Sequence, residues 1–250
     1  VREKYPGGKE VAKRTDGWNE VKDGGRSRFE RTNGDGSQVT KNELDQVTQI
    51  VDAKGRSRLF EYDGQGRMSK MTDSTGSWTT KDGQNWTNEK TKETWKGRLE
   101  AGQEGVYREV AADGSKKVFK PDGSKIVVDK DNRITRVEAS NGTWRQFDYG
   151  QDGKISKVTE STGTKWSTTD GTNWTKEGST ETRKMNVSVR PDGTYQETDL
   201  SNGNRRIGTT DGRNLTFDKN SVIQRAETTV LSRSSIERLR PSSAITSSRM

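Results

Sequence analysis

Trp78-Thr-Thr-Lys-Asp-Gly-Gln-Asn-Trp-Thr87 and Trp166-Ser-Thr-Thr-Asp-Gly-Thr-Asn-Trp-Thr175 are two copies of one segment. Asp-Gly is a strong signal for a tight hairpin, because the turn positions favour residues that accept positive φ. Folding the chain about Asp82-Gly83 sets Trp78 opposite Trp86, and folding it about Asp170-Gly171 sets Trp166 opposite Trp174. Each couple is then a cross-strand aromatic contact worth ~0.5–1 kcal/mol. A weaker third copy reads Thr209-Thr-Asp-Gly-Arg-Asn-Leu-Thr216.

Outward from these segments, Asp-Gly or Asn-Gly occurs at 14 places in the 250 residues. That spacing suits pairs of short strands joined by turns. Asp35, Asp82, Asp122, Asp170 and Asp211 are separated by 47, 40, 48 and 41 residues, which reveals a repeat of 87 to 89 residues with two unequal halves. The period recurs elsewhere. Val47-Thr-Gln-Ile50 matches Ile134-Thr-Arg-Val137, Phe60-Glu-Tyr62 matches Phe147-Asp-Tyr149, and Tyr107 matches Tyr195. The expected organisation is a partial unit over 1–46, full units over 47–133 and 134–225, and a C-terminal segment over 226–250. In that last segment Ser234-Ser-Ile-Glu237 has capping-box spacing. Ile236 and Leu239 then share one helix face, Pro241 stops the helix, and a Ser-rich tail follows.

Composition narrows the fold. Only 24% of residues are hydrophobic, and Val, Ile, Leu and Phe number 37, too few for a conventional two-layer core. Four prolines and recurrent aromatics argue against disorder. The expectation is an all-β fold, an extended single-layer antiparallel sheet of hairpin repeats, solenoid-like, that must curl on itself, pack face to face or pair its ends with another copy. The chain opens on Val1 with no apolar leader stretch, as a processed product or a piece of a longer protein does.

Composition also narrows the function. With no Cys and no His, thiol chemistry and the commonest general base and metal ligand are excluded. Phosphate-loop, dinucleotide and nucleophile-elbow patterns are absent, so the chain reads as non-enzymatic and without a cofactor. The net charge is +8, but 45 basic and 37 acidic residues are interleaved. Spread charges of this kind solvate sheet faces and guard edges rather than track nucleic acid. No apolar run is long enough to span a membrane. Asp129, Asp131 and Asp218 lack the spacing of a calcium loop and suit turns instead. Sequons at Asn85, Asn141, Asn173, Asn186 and Asn214 matter only in a glycosylating compartment.

Tyr62-Asp63-Gly64-Gln65-Gly66-Arg67-Met68, followed by Gly76, resembles the tyrosine–aspartate (YD) repeat of RHS-type proteins. Val51-Asp52-Ala53-Lys54-Gly55-Arg56 and Val128-Asp129-Lys130-Asp131-Asn132-Arg133-Ile134 are similar. Tyr149-Gly150 loses the Asp, and Phe217-Asp218-Lys219-Asn220-Ser221 loses the Gly-Arg pair. The resemblance, over roughly 45–225, implies large bacterial surface or secreted proteins whose hairpins join into one spiralling sheet.

The resulting expectation is a structural, extracellular or cell-surface β-repeat protein that self-associates through open sheet ends into a fibre or surface layer, with the 234–240 helix as a clasp. Two other readings stand beside it. One is a carbohydrate-binding adhesin in which Trp18, Trp95 and Trp144, outside the indole couples, contact glycans or a partner. The other is a fragment of a bacterial toxin-delivery shell.

Overall fold

The structure, a computed structural model, describes residues 2–23 and 25–229. The expected C-terminal helix with Ile236 and Leu239, and the tail after it, lie outside the described residues. Among the described residues the fold is all-β, an open antiparallel sheet of 24 strands, and the chain divides after Ser140 into two compact units.

The first unit runs β1 (Arg2–Lys4), β2 (Glu10–Lys13), β3 (Asn19–Asp23), β4 (Arg26–Thr32) and β5 (Gln38–Lys41). It continues with β6 (Val47–Val51), β7 (Ser57–Tyr62), β8 (Met68–Asp73), β9 (Gly76–Thr79) and β10 (Asn85–Asn88). Its last strands are β11 (Thr94–Ala101), β12 (Tyr107–Ala111), β13 (Lys116–Phe119), β14 (Lys125–Val128) and β15 (Ile134–Glu138). The second unit holds β16 (Trp144–Tyr149), β17 (Ile155–Glu160), β18 (Lys165–Ser167), β19 (Asn173–Lys176) and β20 (Thr182–Val189). It ends with β21 (Tyr195–Asp199), β22 (Arg205–Gly208), β23 (Arg213–Phe217) and β24 (Ile223–Thr228). Within each unit every strand pairs with the next in the chain.

The repeat is visible strand by strand. β6 and β15 share one burial pattern, with Val47 and Ile50 buried in the first and Ile134 and Val137 in the second. β7 and β16 are likewise alike, each burying only its Phe. The eight-residue strands β11 and β20 each pair with the preceding strand through their first half and with the following one through their second.

Two kinds of corner make the hairpins. In the first kind, at Asn33–Ser37, the N–H of Gly36 donates to the Asn33 carbonyl and that of Asn33 to the Ser37 carbonyl. Only the Gly is left-handed, at φ 85°, while the Asp35 carboxylate accepts the Ser37 N–H and hydroxyl. This is a turn closed by a left-handed Gly and bulge, not the two-residue turn that the Asp-Gly step predicts. The corners at 120–124 and 209–213 repeat it.

The second kind is the Asp-x-x-Gly-Arg corner. At Asp63 one carboxylate oxygen accepts the N–H groups of Gln65 and Arg67, and the other accepts Nε of Arg67 at 2.9 Å. The Asp52 and Asp129 corners are built identically. In the Asp129 corner Asn132 takes the left-handed position in place of Gly, which Asn tolerates best among other residues.

The sheet of the first unit curls enough to bury one face. Trp18, Val39, Val47, Ile50, Phe60, Met71, Trp86 and Tyr107 form a buried cluster drawn from strands far apart in the ladder. Tyr107 lies 5.6 Å from Phe60 and 5.3 Å from Phe119, centroid to centroid, with the Arg58 guanidinium 4.8 Å from the Tyr107 ring and 4.3 Å from Phe119. Corners lock the curl: Arg56 Nη2 donates to the Gly123 carbonyl at 2.6 Å, and the Ala53 N–H to the Pro121 carbonyl.

In the second unit Phe147 and Tyr195 stack at 5.6 Å with Arg145 4.7 Å from the tyrosine ring. Gly208 stands where the first unit has Phe119. Arg145 fills that space, so closely that a Cβ at position 208 would collide with its guanidinium.

Candidate functional site

The two Trp segments form a long capped loop rather than a tight turn. Thr79 pairs with Thr87 and Trp78 with Asn88, and Trp86 pairs instead with Trp95 on the far side. In the second unit Trp166 faces Lys176 and Trp174 faces Arg183. The expected couples Trp78–Trp86 and Trp166–Trp174 are therefore not cross-strand pairs.

The cause lies in the loop. Asp82 Oδ1 accepts the N–H groups of Gln84 and Asn85, Asp82 Oδ2 accepts the Asn85 amide, and Thr80 Oγ1 accepts the Gly83 N–H. Asp170 does the same with Thr172, Asn173 and Thr168. These bonds spend five residues on capping between the strands, 80–84 in one copy and 168–172 in the other, which moves the register along. Bonds from Asn85 hold Asp82 well below the ordinary carboxylate range, and bonds from Asn173 do so for Asp170. The segment at 209–216 is no third copy: it is a tight corner closed by Thr209, Asp211 and Arg213.

Each loop delivers one indole to the interior. Trp86 and Trp174 are each 1% exposed, and their Nε1–H groups donate to the carbonyls of Gly97 and Met185 at 3.2 and 3.0 Å. Gly97 is obligatory, since a Cβ there would run into the Val110 carbonyl and the Trp95 ring. Beside the Asp82 loop lies an open groove of about 590 Å³ bordered by Arg67, Asp82, Asn85, Lys96 and Arg98.

Of the candidate contact residues, Trp18 is buried, with Lys41 Nζ 4.4 Å and Arg31 4.7 Å from its ring. It is a core residue and not a surface for glycans. Trp95 is half-buried on β11 of the first unit and Trp144 half-buried on β16 of the second.

One constellation escaped the sequence reading. In the second unit Arg206 Nη1 lies 3.4 Å from both Glu160 and Glu197, Arg145 Nε lies 3.0 Å from Glu160, and the Tyr195 hydroxyl donates to Glu197 at 2.6 Å. Burial, reinforced by the Glu197 charge, pushes the Tyr195 phenol far above its usual value. Both carboxylates are committed to guanidinium partners, so the cluster balances its own charge. Arg145 stands directly opposite Glu160 on neighbouring strands, as Glu197 does opposite Arg206; it is the approach of these two strand pairs, through Arg206 and Glu160, that no local pattern marks.

The sheet's rim also has unused bonding capacity. Among the described residues, β1 pairs with β2 alone and β24 with β23 alone, and every residue of both strands is exposed. On β24 the Thr229 N–H donates to the Gly212 carbonyl. By strand alternation the N–H groups of Arg225 and Glu227 also face β23, and those of Ala226 and Thr228 face outward. Val222 and Ile223 are 55% and 57% exposed at this rim. No helix among the described residues is long and apolar enough to cross a membrane.

The family model of the RHS repeat matches residues 42–77, the stretch from β6 to β8 that carries the Asp52 and Asp63 corners. Over these residues the chain is RHS/YD-repeat-like. None of the curated proteins matches it in sequence. Among solved structures, it is similar to the TCP10 domain of Danio rerio CPAP in complex with a peptide of Danio rerio STIL. The identity is 14% over 92% of this chain and 99% of that one, with a TM-score of 0.28. The same wild-type domain without the peptide gives 15% identity over 92% and 100%, with a TM-score of 0.17. The CPAP G-box domain gives 11% over 92% and 99%, with a TM-score of 0.18.

Proposed function

We propose that this RHS/YD-repeat-like chain is a non-enzymatic structural component of an extracellular or cell-surface assembly, and that it self-associates through its open sheet ends. The observation that carries the reading is the full exposure of β1 and β24, each with a ladder partner on one side only among the described residues. Unpaired backbone donors and acceptors along an edge template a further strand, and head-to-tail contacts that do not close propagate into filaments. The RHS repeat at 42–77 and the open sheet fit the same role. The pairing of Glu160 and Glu197 with arginines further supports a structural use of the buried charges.

Sedimentation velocity over a wide concentration range, with electron microscopy of the concentrated protein, tests the proposal. Concentration-dependent oligomers or filaments are expected. A monodisperse monomer at every concentration would refute self-association.

A further inference from the structure

β24 is the third copy of one strand. β6, β15 and β24 occupy equivalent places in the repeat, so Val47, Ile134 and Ile223 correspond, as do Ile50, Val137 and Ala226. In the first two copies both positions are buried, whereas in the third both are exposed. The difference is a neighbour that β24 lacks among the described residues.

β6 is flanked by β5 on one side and β7 on the other. Ile50 pairs with Arg58, Gln49 with Leu59 and Val51 with Ser57. Phe60 joins Val47 and Ile50 in the buried cluster, and the Tyr62 hydroxyl donates to the Val47 carbonyl at 2.8 Å. β24 has the counterpart of β5, namely β23, but no counterpart of β7 among the described residues. Its outward N–H groups, Ala226 and Thr228, match Ile50 and Asp52, which face β7 in the first copy. There the Asp52 N–H donates to the Arg56 carbonyl.

The chain states twice what belongs at such an edge. β7 reads Ser-Arg-Leu-Phe-Glu-Tyr and β16 reads Trp-Arg-Gln-Phe-Asp-Tyr, with Arg, Phe, an acidic residue and Tyr in fixed order. Residues 230–250 contain neither Phe nor Tyr.

We infer that the outer edge of β24 is a docking site for an extended peptide strand of the form x-Arg-x-Phe-(Asp or Glu)-Tyr, added antiparallel with its Arg opposite Ala226. The inference rests on β24 being a joining edge and names the chemistry of what joins. Main-chain bonds to Ala226 and Thr228 supply the pairing. The incoming Phe covers Ile223 and Ala226, and the incoming Tyr hydroxyl donates to the Ile223 carbonyl.

The test uses the full chain and a synthetic peptide of residues 55–73, which presents the β7 sequence with its own hairpin partner. Nuclear magnetic resonance titration is expected to give saturable shifts confined to β23 and β24, and none with a peptide whose Phe60 and Tyr62 are Ser. Ala226→Pro removes only an outward N–H, which an edge strand tolerates, and is expected to weaken binding by at least about tenfold with the other amide signals unchanged. Ala226→Val, which restores the bulk of the other copies, is expected to tighten binding several-fold.

Saturation without any effect of Ala226→Pro, or no saturation by either wild type or Ala226→Val, would overturn the inference. So would oligomers of the chain that Ala226→Pro dissolves while the peptide still fails to bind the monomer, since the occupant would then be a second copy. Peptide binding by a chain that stays monomeric alone would uphold the inference while refuting self-association.

Discussion

Replacing Asp52 by Ala tests whether the Asp-x-x-Gly-Arg corner holds the curl of the first unit. The Asp52 side chain is 4% exposed and accepts three bonds: from the Lys54 and Arg56 N–H groups at 2.9 and 3.0 Å and from Arg56 Nε at 2.6 Å. Each backbone bond contributes about 1 kcal/mol. The charge-assisted bond adds about 1–1.5 kcal/mol, discounted because half of the Arg56 side chain is in water. Arg56 also reaches the Gly123 carbonyl, so losing its anchor loosens the tie between two corners. The total is about 3 kcal/mol, equivalent to a fall in Tm of roughly 10 °C for a unit of this size. Asp52→Asn keeps an oxygen for the two N–H groups and should cost about 1 kcal/mol. Calorimetry of both variants beside Asp63→Ala is the assay, because Asp63 makes the same local bonds at an exposed corner. Equal losses for Asp52→Ala and Asp63→Ala would refute the reasoning, since burial and the link to Gly123 would then contribute nothing.

Gly97→Ala should destabilise the first unit by about 1–3 kcal/mol, because its Cβ meets the Val110 carbonyl and Trp95; an unchanged denaturation midpoint would contradict that contact. Burial pushes the Tyr62 phenol up to about 12 and raises Tyr107 and Tyr195 further. Stability from these neutral phenols is complete below pH ~10 and is lost as the pH rises through 12, because the unfolded state ionises first. Urea midpoints should therefore fall above pH ~10, and midpoints flat to pH ~12 would disprove the burial. Asp82 and Asp170 have lowered values, so their contribution is present above pH ~4 and disappears only on further acidification. Amide shifts of Asn85 and Asn173 that titrate near pH ~4, as a free Asp would, would contradict the capped loops.

The hairpin fold and its period were legible because they are local properties. Asp, Gly and alternating aromatics mark corners and strand faces within a few residues of one another. The corner type was less legible. An Asp-Gly step permits several turns, and at Asp82 the neighbours Thr80 and Asn85 decide the outcome by capping, which shifted Trp86 from Trp78 to Trp95. Trp18 looked spare because its partners, Arg31, Lys41 and the cluster around Val39, come from other strands. The contact of Arg206 with Glu160 has the same origin. A sparse apolar composition suggested a sheet in need of cover, and curling supplied it in the first unit by bringing β7 against β12 and β13. The open rim at β24 required both levels, the repeat from sequence and exposure from structure.

Residue-resolved amide hydrogen exchange along β6 and β24 tests the account most directly. Arg225 and Glu227, bonded toward β23, are predicted to exchange slowly, and Ala226 and Thr228 at rates near those of free peptide, while Ile50 and Asp52 in the first copy stay protected. Uniform protection along β24, or fast exchange at Ile50, would contradict an open edge at the third copy of a strand that is enclosed in the first.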